Sequence, residues 1–234
     1  MVRAIPAERF GQLVEVATKT FIACGYRQTQ MADVATALGV AKGTIYGYVD
    51  SKEALFDAAV RYADGHLTLP VPADLPLRRP PEGATVAYIR GRVAAEVADL
   101  ALVQVVTRSL VLEDPADELS AVLSDLYHRI ARNRLALKLV DRCAADYPEL
   151  AQVWFGEGRW AQHQLLVQLI RSRISDGHYH VFEHVDVVAR TLMETIAFWA
   201  LHRHFDPSPQ TLDDAEACRV VVDLFSRSLL EVST

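Results

Sequence analysis

The chain has 234 residues, 51% of them apolar and 23% charged, with a formal net charge of −6. That length and apolar content suit a sizeable core and exclude a chain disordered throughout, and no apolar run reaches the roughly 20 residues of a membrane span. Three scattered cysteines (Cys24, Cys143, Cys218) lack metal-ligand spacing and the first residues lack an apolar signal-peptide core, so a reduced, cytoplasmic protein is expected.

Taken in chain order, Phe10, Leu13, Val14, Ala17 and Phe21 recur at helical spacing and predict an amphipathic first helix. Val34, Ala35 and Leu38 predict a second, short one. Gly39 follows it, and a residue without Cβ takes the positive φ of a tight turn at little cost. Val40 then plugs the angle to a third helix. Two helices about a Gly-containing turn of three or four residues have the shape of a helix-turn-helix unit.

The next stretch, Lys42-Gly43-Thr44-Ile45-Tyr46-Gly47-Tyr48, needs only Ile45 and one ring face inside. Lys42, Thr44, Tyr46 and Tyr48 are therefore expected to face outward, offering the cation, hydroxyl and phenols that contact phosphate oxygens and base edges. Gly43 lets the backbone approach a duplex. Ser51 reads as the N-cap of a fourth helix, and Lys52 sits in its first turn, where exposed amides also suit a phosphate. A Gly turn alone implies no more than a three-helix core with a polar face. The ordered run Thr29, Gly39, Lys42, Gly43, Tyr46, Ser51, Lys52 points instead to double-stranded DNA.

This segment resembles the DNA-binding head of the TetR/AcrR family of bacterial repressors. The resemblance rests on Ala17, Phe21, Gly25-Tyr26, Thr29, Asp33-Val34-Ala35, Gly39-Val40, Lys42 to Tyr46, Tyr48 and Ser51 to Leu55. It implies an all-helical homodimer with a ligand-responsive body, and DNA contacts at Thr29, Lys42, Thr44, Tyr46, Tyr48 and Lys52. Three positions depart from the family pattern. Ala41 replaces a common Ser and removes an N-cap hydroxyl, Gly47 removes a large side chain from the reading stretch, and Val49 replaces a common Phe.

The acidic net charge is unevenly placed. Residues 1–66 carry seven basic and seven acidic side chains, so the remainder holds the entire −6. A neutral head with cations on one face can meet phosphates while an acidic body is repelled from them.

The fourth helix is expected from Lys52 to about His66, with Leu55, Phe56, Ala59 and Tyr62 on one side. Pro70, Pro72, Pro76, Pro80 and Pro81 then exclude a helix, so residues 67–82 read as an extended or poorly ordered linker between a head (1–66) and a helical body (83–234). The body shows helix after helix. One runs from about Ala84 to Leu112, one opens at Asp114-Pro115 and continues past Leu135 to Leu139, and one runs from Pro148 to about Ser175 with Gly156 and Gly158 as weak points. The last two run from Val185 to about His204 and from a capping box at Thr211–Asp214 onward. Both are apolar on more than one face, which suits a four-helix interface between two copies. Two half-sites about one helical turn apart (~34 Å) also call for two copies. The expected class is all-α with about nine helices.

Apolar and aromatic residues suited to an effector pocket are Tyr127, Trp154, Trp160, Phe198 and Trp199, with plain core as the alternative role for each. His178, His180, Glu183 and His184 are the one cluster suggestive of a metal, placed after Asp176-Gly177 where a surface loop is expected. No nucleophile elbow, P-loop or dinucleotide Gly pattern is present, so an enzyme is not expected, and no cofactor is implied. The sequence thus reads as a homodimeric repressor, released from a palindromic operator by a small apolar or amphipathic effector. The alternative is a helical binding or metal-sensing protein whose head no longer reads DNA.

Overall fold

The computed structural model describes residues 7–108, 113–208 and 211–231. Among these the regular structure is helical, with two isolated β-bridges and no strand. The chain divides into two compact units, Met1–Gly91 with Leu135–Trp154, and Arg92–Arg134 with Phe155–Thr234. The first unit groups the Pro-rich segment and a stretch from the second half of the chain with residues 1–66.

In the first unit, α1 (Ala7–Cys24) buries Phe10, Leu13, Val14, Ala17 and Phe21 completely, as its periodicity requires. Its main partner is α4 (Lys52–Ala63), through Leu55, Phe56 and Ala59. Each large side chain so buried contributes on the order of 2–3 kcal/mol. Ser51 accepts from the Ala54 amide at 3.1 Å and starts α4, which stops at Ala63, one turn earlier than expected, because Gly65 takes a φ of +72°.

Past α1 the chain turns at Gly25, with φ +85°. A stretch far away in sequence grips this turn: Arg142 of α8 (Arg134–Ala144) donates to the Cys24 carbonyl at 2.9 Å, and Asp146 accepts from the Arg27 amide at 2.9 Å. The Tyr26, Phe56 and Tyr147 rings pack alongside, with centroids 4.9 to 6.2 Å apart.

The second unit is a helical bundle. α7 (Pro115–Arg132), α10 (Ala161–Ser175), α11 (Val185–Ala200) and α12 (Asp214–Leu229) pack around Leu123, Tyr127, Leu166, Ile170, Leu192, Ile196 and Val221. Arg173 makes a two-pronged pair with buried Glu118, at 2.6 and 2.8 Å. Asp214 is the other polar hub, taking hydrogen bonds from Arg134, Arg203 and Tyr127.

Several helices are shorter than the periodicity predicts. The segment beginning at Ala84 breaks after α5 (Ala84–Ala98), resumes as α6 (Ala101–Val106), and its expected end at Leu112 lies outside the described residues. Arg129 stabilises the break by donating to the Glu96 and Asp99 carbonyls, while Asp125 accepts from the Ala101 amide. The helix opened by Asp114-Pro115 stops at Asn133 before α8. The Gly156 and Gly158 region is a π-helical stretch, Gln152–Trp160, between α9 (Pro148–Ala151) and α10. The last helix is capped by Asp213, which accepts from the Glu216 amide at 2.7 Å; the predicted box at Thr211 does not form because Asp214 is engaged with the arginines.

Candidate nucleic-acid interface

The reading unit is built by two short helices. α2 (Met31–Leu38) buries Met31, Val34 and Ala35 and begins with the Gln30 amide donating to Asp33 at 2.8 Å. It ends in a left-handed Gly39 (φ +72°, ψ +34°), where the Gly39 and Val40 amides reach back to the Thr36 and Ala35 carbonyls. This closing motif satisfies two end-of-helix carbonyls and aims the chain into the next helix. α3 (Lys42–Ile45) follows, starting at Ala41 without any side-chain cap. The helix is four residues long, and Ala41 offers its first amides no side-chain acceptor.

Ile45 is fully buried and anchors α3, while Lys42, Gly43, Thr44 and Tyr46 are exposed. A cation, a hydroxyl, a phenol and an unobstructed backbone thus share the outward side of the turn, as the sequence predicts. Three other predicted contacts lie differently. Tyr48 does not point outward: it is 3% exposed, its ring beside Phe10, because the chain tightens after Ile45 and turns the side chain into the core. Thr29 is buried and its hydroxyl donates to the Gly25 carbonyl at 2.6 Å. Lys52 sends its ammonium to the carbonyls of Tyr26, Arg27 and Thr29 at 2.9, 3.3 and 3.2 Å, over the Tyr26 ring. The side chains of Thr29 and Lys52 therefore hold the turn after α1. Burial also pushes the Tyr26 phenol up to about 12, so it stays neutral at physiological pH.

The Pro-rich segment returns to this unit. Leu77 donates to the Tyr48 carbonyl at 2.8 Å and accepts from the Asp50 amide at 3.0 Å, forming a parallel bridge beside Val49. Arg78 then lies 3.8 Å from Asp50 and Arg79 3.4 Å from Glu53. The adjacent arginines were visible in the sequence, but nothing local indicated their position.

In the second unit, Phe198 and Trp199 line an open groove along α11 with Asp186, Val187, Arg190, Thr191, Glu194 and Thr195. Tyr127 and Trp160 are not in that lining: the Tyr127 hydroxyl donates to the Trp199 carbonyl, and Trp160 is 58% exposed beside His163. Trp154 belongs to the first unit, its indole donating to Asp141 at 2.9 Å. His178, His180, Glu183 and His184 are exposed, and among the described residues no group of three or more such side chains is placed to hold a metal ion. Among the described residues no helix is long and apolar enough to cross a membrane.

A helix-turn-helix head in an all-helical chain is an architecture found among DNA-binding transcriptional regulators. Residues 13–59 match the model of the bacterial regulatory proteins of the tetR family. The chain is 49% identical over 45 residues to an HTH-type transcriptional regulator, YhgD, of Bacillus subtilis (strain 168), a match covering 19% of this chain and 24% of that protein. Among solved structures it resembles the ketosteroid transcriptional regulator KstR2 of Mycobacterium tuberculosis (17% identity, 99% and 100% of the two chains, TM-score 0.58). It also resembles the TetR-family regulator PfmR of Thermus thermophilus (20% identity, 94% and 100%, TM-score 0.51). At such identities the likeness is one of fold. Residues 13–59 thus carry a head of the tetR-family type, and the chain around it shares the all-helical fold of these regulators.

Proposed function

We propose that the chain is a homodimeric repressor that binds a palindromic operator through α3 and is released by a small apolar or amphipathic effector held in the helical body. The observation that carries the reading is the shared exposure of Lys42, Gly43, Thr44 and Tyr46 over a buried Ile45. Side chains of these types supply phosphate and base-edge contacts. A two-copy assembly is supported by apolar side chains left in solvent on the last two helices: Val187 of α11 at 61% exposure, Leu224 of α12 at 53%. Two copies of α11 and α12 would cover both, and the groove along α11 would then face the second copy. Effector control needs unequal affinity for the DNA-bound and free states. Within the first unit, α4, held at its start by Ser51, and the clasp of Arg142 and Asp146 on the turn after α1 are the elements that would reposition the head.

The test is fluorescence anisotropy of the purified protein on the DNA flanking its own gene, with unrelated DNA as control, across a salt series. Preference for the flanking DNA that weakens with salt, and that Lys42→Ala reduces, supports the reading. Equal affinity for all genomic fragments would make this a helical binding protein whose head does not read DNA.

A further inference from the structure

We infer that Arg78 and Arg79 form a second phosphate-contacting element, carried back to the head by the Pro-rich segment. The inference rests on the reading of the head as a DNA binder.

α4 has 12 residues, so the chain leaves its far end about 18 Å from Ser51 at 1.5 Å per residue. Fourteen residues after Ala63 it is back beside the start of α4, since Leu77 exchanges hydrogen bonds with Tyr48 and Asp50. Extended chain at about 3.3 Å per residue covers that return comfortably. The prolines account for the geometry. They exclude helix and lack amide donors, and Pro80 holds Arg79 in the extended region. Leu77, Arg78 and Arg79 are the stretch between Pro76 and Pro80 that retains N–H groups, and Leu77 uses its own to dock on Tyr48.

Docking at this place has an electrostatic consequence. Asp50 and Glu53 stand at the entrance of α4, where they would repel a phosphate. The strap sets one guanidinium near each, at 3.8 and 3.4 Å. Both pairs are loose, and the arginine side chains remain 82% and 69% exposed. Lys52 is meanwhile spent on three carbonyls inside the head. The cation that the sequence offers at the start of α4 is thus turned inward, and the strap supplies two in its neighbourhood. Arginine suits the task, because its planar fork matches phosphate oxygens.

The experiment compares wild type, R78Q/R79Q, R78K/R79K and Lys42→Ala on the flanking duplex and on an unrelated duplex of equal length, across a salt series. R78Q/R79Q should weaken binding to both duplexes by a similar factor, about three- to tenfold at low salt, and flatten the slope of log K against log salt by about one for each phosphate no longer engaged. R78K/R79K should retain most of the slope. Thermal midpoints should match wild type, as exposed ion pairs contribute little to stability. A slope in R78Q/R79Q equal to wild type overturns the inference and leaves the head's reading intact, provided Lys42→Ala still weakens binding. If wild type itself shows no salt-dependent DNA binding, the reading of the head fails and this inference with it.

Discussion

The ammonium of Lys52 donates to the carbonyl oxygen of Thr29 at 3.2 Å, joining the first turn of α4 to the residue that precedes the Gln30 cap of α2. Two further carbonyls, of Tyr26 and Arg27, share the same ammonium, so one cation closes a turn whose own amides cannot satisfy those oxygens. Lys52→Met keeps the stem and removes the donor. It should lower the stability of the protein by about 1–2 kcal/mol, the lower range for charge-assisted bonds at a half-buried site. Urea denaturation followed by circular dichroism checks this; an unchanged midpoint would show that the three contacts are of no consequence.

Glycine is needed for different reasons at two turns of the head. A Cβ on Gly25 would lie 2.8 Å from Arg142 Nη1 and 2.9 Å from Asp146 Oδ2, whereas one on Gly39 meets nothing within 4 Å. Both residues have positive φ, which costs a residue with Cβ about 1–2 kcal/mol. Gly39→Ala should cost about that much. Gly25→Ala must also displace two side chains that are themselves hydrogen-bonded to Cys24 and Arg27, so its cost should exceed that of Gly39→Ala by about 1 kcal/mol or more. Thermal unfolding of the two variants gives the order.

The Asp214 carboxyl carries a pH dependence of known sign. Burial pushes its pKa upward, but hydrogen bonds and charge from Arg134 and Arg203 outweigh that and hold it well below the usual carboxylate range. A depressed folded pKa means that its stabilisation is complete above the unfolded value near 4 and is lost as pH falls toward the folded value. Asp214→Asn should therefore be less stable than wild type at neutral pH, by about 2 kcal/mol, because buried Arg203 is left with a neutral amide oxygen in place of its carboxylate partner. The gap between the two proteins should narrow as pH drops below about 4. A gap that is constant with pH would assign the effect to packing.

Leu224 and Val220, 53% and 44% exposed on α12, test the proposed assembly. Leu224→Glu places a charge where the second copy would bury the side chain. It should shift the protein to monomer by light scattering while leaving its circular dichroism unchanged. Operator affinity should then fall at least about tenfold, since two half-sites are no longer engaged together. A dimer that survives the substitution places the interface elsewhere.

The head was legible because its signals are local. The stripe Phe10 to Phe21, the Gly39 turn, the buried Ile45 and the Ser51 cap each follow from residues within about three helical turns of one another, and the sequence alone was enough to define them. It also indicated that Ala41 leaves α3 uncapped. Only the tertiary structure decided where Thr29, Tyr48 and Lys52 point, because their partners are settled by packing: outward and inward rotamers of the same side chains fit the same local pattern. The return of Leu77 to Tyr48 and the grip of Arg142 and Asp146 on residues 24–27 join positions some 30 to 120 residues apart. Periodicity carries no record of such pairings, since loop closure brings them together only once the helices have packed.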